Sequence, residues 1–407
     1  MKAKPVNRSL IVLGTIITQM GLGTIYTWSL FNQPLVDKFG WSLGSVAATF
    51  SITSFSLAVA TLFAGKFQER IGIRRLIMFA GIALGLGLMA SSAASSITLI
   101  YILMGGVVGF ADGTGYITTL SNLIKWFPDR KGLIAGISVG AFGTGSLLFK
   151  YVNHFLIANV GVSDAFFYWG IIVMTMIIIG GALLREPGLN AEENASSSQH
   201  RAHDFSLGEM LATKESYLLF IVFLTACMSG LYLIGVVKDI GVQMAGMSME
   251  TAANAVSAIA VFNTIGRIVL GAISDNMGRL RVISFTLLVT ALAVSVMTFL
   301  PLNPMLFFAC VSAIAFCFGG NITVFPAIVG DFFGLKNHSK NYGVIYQGFG
   351  IGALSGSFIA AQLGGFQATF TAIIIMSVAS LLITLWIKPP KQQDTSSMSV
   401  TMAHAQS

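Results

Sequence analysis

The sequence predicts an all-α membrane protein with twelve transmembrane helices in two six-helix bundles related by a parallel repeat. The first observation behind this prediction is composition: of 407 residues, 55% are hydrophobic and 10% are charged, against roughly 25% charged in soluble domains. Mean hydropathy is correspondingly high, at +0.81. The second observation is a series of long apolar runs, and the third is a loop sequence that recurs half a chain later.

The apolar runs are each long enough to cross a hydrocarbon core about 30 Å thick. In chain order they lie near residues 9–31, 44–64, 75–94, 97–123, 132–154, 163–184, 216–237, 251–273, 282–300, 304–330, 340–363 and 366–387. The first run follows a short basic segment, as a signal peptide would, but it is too long and lacks a small-residue cleavage site. We therefore expect it to remain in the protein as a helix.

Lysine and arginine are distributed unevenly between the loops. With the amino terminus inside, 19 of the 23 fall on the cytoplasmic side: Lys2, Lys4, Arg8, Lys66, Arg70, Arg74, Arg75, Lys125, Arg130, Lys131, Arg185, Arg201, Lys214, Arg279, Arg281, Lys336, Lys340, Lys388 and Lys391. Because positive residues accumulate on the cytoplasmic side, we expect a plasma (inner) membrane protein with both termini cytoplasmic. The net charge of +7 then reflects topology, and no nucleic-acid partner is needed to explain it.

A long polar connection, which carries AEENASSSQHRAH, separates six runs from six. It predicts an N-terminal bundle at 1–184, a cytoplasmic linker at 185–215, a C-terminal bundle at 216–390 and a polar tail at 391–407. The loop GKFQERIG, which begins at Gly65, returns as GAISDNMG at Gly271, 206 residues later. Two weaker echoes, Tyr26 with Tyr232 and Gly115 with Gly320, have offsets of 206 and 205. Agreement near one offset indicates parallel repeats of the kind found in two-bundle secondary carriers.

Metal and cofactor sites are not predicted. Cys227, Cys310 and Cys317 lie in apolar runs without metal-ligand spacing, which favours buried thiols. His200 and His203 lie in the Ser-rich linker, where solvation explains them. The sequence has no Walker A motif, which argues against an ATP-driven pump.

The repeated loop, Gly-x-x-x-Asp/Glu-x-x-Gly followed closely by arginine, resembles the signature of the major facilitator superfamily. The six-plus-six layout agrees with that family across essentially the whole chain. Four segments more narrowly resemble the oxalate/formate antiporter family, relatives of the monocarboxylate transporters: Tyr26-Thr-Trp28-Ser, Trp126-Phe-Pro-Asp-Arg-Lys-Gly132, Asn263-x-x-x-Arg267 and Asn341-Tyr-Gly343. The resemblance implies a carrier for small carboxylates such as oxalate, formate, lactate or pyruvate, without a tightly held cofactor. We expect a monomer whose partners are this substrate, protons and the lipid bilayer.

Arg267 is an ionised side chain inside an apolar run, where an arginine costs about 3 kcal/mol on insertion scales. We expect it to face a bundle interior and to bind the substrate, since a planar guanidinium can hold a carboxylate by two hydrogen bonds. Asn263, one turn earlier on the same face, can add an amide donor. The alternative is a buried ion pair with an acid such as Asp112. In the family that the chain resembles, this arginine position binds substrate.

The resemblance also maps a cavity wall onto Tyr26, Tyr116, Phe142, Phe318 and Tyr346. Apolar walls suit the carbon skeleton of a small organic anion, and phenol groups can donate to its oxygens. Taken alone, each of these residues is better explained by packing than by ligand contact. Asn321, the repeat partner of Tyr116, is a further polar candidate.

Phe349 marks a departure from the family pattern. Members that carry the dianion oxalate have a lysine at this position, six residues after the glycine that corresponds to Gly343. Because an unpaired charge is costly in a low-dielectric cavity, the charges of cavity and ligand should nearly cancel. One arginine facing a phenyl ring therefore predicts a small monocarboxylate such as pyruvate or lactate, with oxalate excluded. The alternative is that Phe349 is ordinary packing and that Lys150 or Lys238 reaches the site.

The remaining acids bear on coupling and gating. Asp112 lies ~22 Å along the fourth run from its outer end at 1.5 Å per residue, where burial favours the protonated form and predicts a proton carrier. Asp239, beside Lys238 at the outer end of the seventh run, is equally a second proton site or part of an interfacial charge pair. Glu69 and Asp275 of the repeated loops are expected to pair with local arginines and to hold the bundles in one alternating-access state.

Three classes of function remain. The leading one is proton-coupled secondary transport of a small monocarboxylate by alternating access, with carboxylate exchange of the oxalate/formate type as its alternative. A channel would need a continuous polar pore, which these apolar runs do not offer. A membrane-embedded solute sensor would need a signalling domain, whereas the segment after Pro390 is short and polar. No enzymatic activity is predicted.

Overall fold

The computed structural model describes residues 7–187, 204–363 and 365–390, and the regular structure within these ranges is helical. Several sequence-based expectations lie outside the described residues. They concern the basic segment with Lys2 and Lys4, most of the predicted linker with its two histidines, and the polar tail 391–407.

The N-terminal half contains six membrane segments. Its elements are α1 (Arg8–Leu22, the 3-10 turn Gly23–Thr27 and Ser29–Phe39), α2 (Leu43–Ile71), α3 (Ile73–Ser91), α4 (Ile97–Ile100, the π-helical Tyr101–Val108 and Gly109–Trp126) and the helix Lys131–Leu183. The last helix bends at Gly161, whose φ of 82° is strained for residues that carry a Cβ. We therefore name residues 131–160 α5 and residues 162–183 α6.

The C-terminal half contains the other six. Its elements are α7 (Lys214–Gln243), α8 (Met249–Met277), α9 (Arg279–Phe299), α10 (Pro304–Phe333), α11 (His338–Ile345 and Gln347–Leu363) and α12 (Phe366–Trp386). Polar N-caps begin several helices where loop sequence gives way to an apolar run. Ser42, Thr213 and Ser248, for example, each accept a hydrogen bond from the backbone N–H three residues later.

Ten helices in the described part of the chain are long and apolar enough to cross a membrane. One of these, Pro128–Leu183, contains the predicted fifth and sixth runs, and the predicted eleventh run is divided into the two pieces of α11. All twelve predicted segments are thus present, and the predicted fold class is confirmed. The structure corrects some ends: α7 continues to Gln243, so Lys238 and Asp239 lie inside the helix.

The repeated loops have the same backbone conformation in both halves. Gly72 joins α2 to α3 with φ 76° and ψ 156°, and Gly278 joins α8 to α9 with φ 91° and ψ 136°. A positive φ favours glycine, which explains why this residue recurs 206 positions later. The repeat seen in the sequence is therefore a structural repeat.

The two halves pack against each other through α5 with α8 and through α2 with α11. Small residues allow the close approach: a Cβ added at Gly136 of α5 would lie 2.7 Å from the Arg267 carbonyl oxygen of α8. Within the described residues, the hydrogen bonds and ion pairs that join the halves lie between the middle of the bundle and the end that carries the repeated loops. We call this end the inner end, and it is closed in the structure.

Candidate functional site

Two of the predicted aromatic residues lie where helices are interrupted. Tyr26 belongs to the 3-10 turn that divides α1, and Tyr346 stands between the two pieces of α11. Such interruptions redirect side chains and mark functional positions in transporters, where the altered backbone lines a cavity. The breaks in α1 and α11 thus face the same region from opposite halves of the molecule.

Five of the predicted residues form a continuous chain of rings, which we call the ring cluster. Its successive ring centroids are separated by 5.2 Å (Tyr26 to Phe142), 5.5 Å (Phe142 to Tyr116), 5.3 Å (Tyr116 to Tyr346) and 5.2 Å (Tyr346 to Phe349). The contacts are edge-to-face, tilted or stacked arrangements that aromatic rings prefer. The ring cluster therefore joins α1, α4 and α5 of one half to α11 of the other.

Arg267 of α8 lies at the interface of the two halves and is 4% exposed. Its Nη1 donates a hydrogen bond of 2.7 Å to the carbonyl oxygen of Val139 in α5, and Tyr26 lies close to the guanidinium. Space for the guanidinium comes from Gly143, where an added Cβ would lie 3.1 Å from Nη1. The Nε of Arg267 has no hydrogen-bond partner among the described residues. The guanidinium thus keeps donor capacity for a bound anion.

The three remaining substrate-binding candidates of the C-terminal half contact residues of their own half. Asn263 donates its side-chain amide to the Ala315 carbonyl oxygen at 3.2 Å, within the same half. Asn321 accepts a hydrogen bond of 2.5 Å from the Thr286 hydroxyl of α9. Phe318 packs against α7 at Gly230. The Asn321 amide oxygen is therefore engaged by a residue of its own half.

Asp112 of α4 is fully buried, and neither of its carboxyl oxygens has a hydrogen-bond partner among the described residues. It lies one turn before Tyr116 and hence on the same face of α4. The alternative sequence interpretation, a buried ion pair between Asp112 and Arg267, is not seen in the described part of the chain. Asp239 differs from Asp112 because it is exposed, as are Lys150 and Lys238.

The two acids of the repeated loops contact the opposite half at the inner end. Glu69 of α2 pairs with Lys340 of α11 at 2.6 Å. Asp275 accepts hydrogen bonds from the backbone amides of Gly132 and Leu133, at 2.9 and 2.8 Å, where the positive end of the α5 dipole faces the carboxylate. The local arginine expected for Asp275 is present as Arg279 at 2.6 Å, whereas Glu69 pairs with a lysine from the other half.

Sequence reasoning missed several contacts of this inner end and of the ring cluster. Asp331 of α10 binds Lys131 at 2.6 Å and Arg279 at 3.0 Å, so it ties both halves to the Asp275 site. Tyr342 adds a ring 5.5 Å from Tyr346. Its position one turn earlier on α11 was a usable signal, because residues four apart share a helix face.

A wide apolar groove of about 810 Å³ lies elsewhere, between α2, α3 and α4. Its lining includes the exposed side chains of Phe67, Phe79 and Ile102 and none of the predicted site residues. Surface grooves of this kind face the hydrocarbon in a membrane protein. The groove is thus separate from the ring cluster and Arg267.

Comparison with known proteins gives concordant matches. The sequence model described as Major Facilitator Superfamily matches residues 11–252 and 236–401. The chain is 45% identical over 347 residues to the Uncharacterized MFS-type transporter YhjX of Escherichia coli (strain K12), covering 85% of this chain and 86% of that protein. It is 26% identical over 373 residues to the Oxalate:formate antiporter of Oxalobacter formigenes, covering 91% and 88%. The crystal structure of the E. coli fucose:proton symporter FucP shares the fold, with a TM-score of 0.72, 10% identity and coverage of 94% and 99%.

Proposed function

The chain belongs to the Major Facilitator Superfamily of transporters, and we propose that it carries a small monocarboxylate of the pyruvate or lactate type by alternating access. The observation that supports this substrate is the buried Arg267 guanidinium beside the ring cluster. One delocalised cation with free donor capacity complements one carboxylate. The rings of the cluster complement a short carbon skeleton.

Phe349 supports the choice of a monoanion. Its ring is 2% exposed and stacks on Tyr346 at an interplanar angle of 16°, so it presents hydrocarbon where a second cation would be needed for a dianion. A second carboxylate placed there would lose its hydration without gaining a partner. Lys150 and Lys238 are exposed, which disfavours the alternative that either of them supplies the second charge.

Transport follows from motion of one half against the other around this site. With the inner end closed by the Glu69, Asp275 and Asp331 contacts, substrate enters from the outer side and binds Arg267. Breaking the contacts at the inner end, while the halves close on the outer side, then exposes the site to the inside. Glu69 and Asp275 act in this scheme as gating residues and do not contact the substrate.

Proton coupling is assigned to Asp112. A fully buried carboxyl group without a hydrogen-bond partner among the described residues is costly as an anion, and an ionisable residue inside a membrane helix is a candidate proton site. Asp239 is the second candidate, and its exposure makes it the weaker one. Similarity to the Oxalate:formate antiporter favours one further possibility, an exchange of two carboxylates without net proton movement.

Uptake into proteoliposomes tests the proposed function. Labelled pyruvate should enter with saturation and counterflow, and unlabelled lactate, formate and acetate should compete for uptake while oxalate and malonate should not. In the Phe349→Lys variant, oxalate and malonate should become better competitors of uptake than the monocarboxylates, because a second cation then faces the site. Oxalate competing as well as pyruvate in the wild type would contradict the charge argument. A substituted protein that keeps its preference for monoanions would show that position 349 does not face the ligand.

The protein is proposed to act as a monomer in the plasma (inner) membrane with both termini cytoplasmic. The excess of lysine and arginine at the inner end supports this orientation. Reporter domains fused after Pro390 should be active only when the reporter functions in the cytoplasm. Activity of a reporter that requires export would reverse the assignment of the inner end to the cytoplasmic side.

A further inference from the structure

Gln347 connects the two halves next to the ring cluster. Its Nε2 donates to the Ala58 carbonyl oxygen of α2 at 2.7 Å and to the Gly343 carbonyl oxygen of its own helix at 2.8 Å, and it lies 3.1 Å from the Thr61 hydroxyl. The Thr61 hydroxyl shares both carbonyl acceptors, at 2.7 and 3.1 Å. Thr61 has a single hydroxyl proton, whereas the Gln347 amide has two and can satisfy both carbonyls at once.

The backbones of α2 and α11 touch at this point. A Cβ added at Gly343 would collide with the Thr61 carbonyl group, and one added at Gly350 would lie 2.8 Å from the Ala58 side chain. The hydrogen bond of Gln347 to Ala58 therefore forms only when the inner end is closed, because the carbonyl of α2 must come within 3 Å of α11, whereas its bond to Gly343 lies within α11.

Gln347 is also placed to respond to the ligand site. It is the first residue of the second piece of α11, directly after Tyr346 at the break, and two residues before Phe349. Arg267 makes the equivalent contact between α8 and α5. Its side chain, from the C-terminal half, donates to the Val139 carbonyl oxygen of the N-terminal half. Arg267 thus joins α8 to α5, and Gln347 joins α11 to α2, both beside the ring cluster. The transport scheme described so far gives Gln347 no role.

We propose that Gln347 is a positioning residue for transport: its hydrogen bonds to α2 hold the inner end closed beside the ligand site, and their release opens the path to the inside. This rests on the alternating-access transport proposed above and adds a gate residue to it. Movement of Tyr346 and Phe349 around a bound substrate displaces Gln347 because it lies between them in the chain. The ion pair of Glu69 with Lys340 joins the same two helices farther toward the inner end.

The test measures the distance between spin labels at Lys66→Cys on α2 and Lys336→Cys after α10, both exposed positions. The native cysteines are buried and should stay unlabelled. Since one amide proton is used on Gly343 within α11, Gln347→Leu loses one neutral hydrogen bond to α2 and should raise the ratio of open to closed inner end roughly 2- to 12-fold. The control is Gln33→Leu, since the Gln33 amide bonds to Asp37 in its own exposed helix. An unchanged distance distribution in Gln347→Leu would overturn the proposal.

Gln347→Glu supplies a readout that loss of packing would not give. The protonated acid can donate to the Ala58 carbonyl and the carboxylate cannot. The inner end of this variant should be closed at low pH and open at high pH, a step opposite in direction to the acid weakening of closure expected for the wild type. Absence of that step would also overturn the proposal. Since both experiments run without substrate, their failure would count against the gate alone, and failure of pyruvate uptake would count against the substrate assignment.

Discussion

At the scale of single residues, Arg267 is the residue proposed to make the site select carboxylates. Arg267→Ala removes the charge-assisted hydrogen bonds to the substrate and should weaken pyruvate binding at least roughly 100-fold, while the protein remains folded. Arg267→Lys should remain poor, because an ammonium loses the bidentate geometry. Binding is measured by calorimetry on purified protein. Lys150→Ala, which removes an exposed cation of α5, is the matched control, and unchanged affinity in Arg267→Ala would rule out the assigned role.

Asp112 permits a second prediction at this scale. Asp112→Asn keeps the size of the side chain and removes its titration, so the variant should still exchange pyruvate across the liposome membrane. It should lose the stimulation of uptake by an inward proton gradient, because the proposed proton site is gone. Counterflow and gradient-driven uptake are compared in the same preparation. Normal stimulation in Asp112→Asn would show that another group carries the proton, and Asp239→Asn would be the next variant to measure.

Much of the candidate site was predictable residue by residue, because buried charges and aromatic residues carry a signal in the sequence. Arg267 stood out as a charge in an apolar run, and the ring cluster followed from family resemblance. The partners of these side chains were less predictable. The Val139 carbonyl has no sequence signature, and the pairing of Glu69 with Lys340 depends on how the halves pack. The repeat position of Asn321 likewise says nothing about its bond to Thr286.

At the scale of elements, the contact between α5 and α8 depends on glycine. A methyl group at Gly136 would lie 2.7 Å from a backbone oxygen of α8, which cannot turn aside, whereas at Gly140 it would meet the flexible Ile268 side chain at 3.3 Å. Gly136→Ala should therefore force the two helices apart and favour the state with an open inner end. Gly140→Ala is the control and should have a smaller effect, since Ile268 can adopt another rotamer.

Spin labels at Asp129→Cys before α5 and Met277→Cys at the end of α8 report this separation, since both positions are exposed. Gly136→Ala should broaden the distance distribution toward longer values and slow transport. Equal distributions in the two alanine variants would show that the close approach at Gly136 is not required for closure.

Element prediction succeeded where hydropathy carries the information and failed where it does not. The twelve apolar runs located the helices, but α2 and α8 continue past their apolar ends into polar residues that remain helical. The interruptions at Tyr26 and Tyr346 were also not predicted. Neither contains proline, the residue that most often breaks a helix, so no single residue in the sequence marks the break.

At the scale of the whole molecule, contacts at the closed inner end join the two halves. His338, at the start of α11 before the apolar run begins, belongs to this closure. Its Nδ1 contacts the Ser121 hydroxyl of α4 at 2.9 Å, and its Nε2 contacts the Pro326 carbonyl oxygen of α10 at 2.7 Å. A carbonyl only accepts, so Nε2 carries the proton and Nδ1 accepts from Ser121 in a neutral ring. The histidine thus links the N-terminal half to the C-terminal half through a single tautomer.

Acidification should weaken this link. Burial, with smaller contributions from Lys125 and Lys131, lowers the pKa of His338 from 6.5 to about 4, although the Pro326 hydrogen bond and Asp331 act in the opposite direction. A lowered pKa means that the closed protein binds fewer protons than the opened or unfolded protein between these values. Its contribution to stability is therefore complete above about pH 6.5 and is lost as the pH falls toward 4.

Tm measured from pH 7.5 to 4.5 should fall more steeply in the wild type than in His338→Gln, which keeps an amide donor for Pro326 but does not titrate. His154→Gln, at an exposed position of α5, should follow the wild-type curve. Parallel curves for the wild type and His338→Gln would mean that the acid sensitivity of the closed state comes from the carboxylate pairs of the inner end.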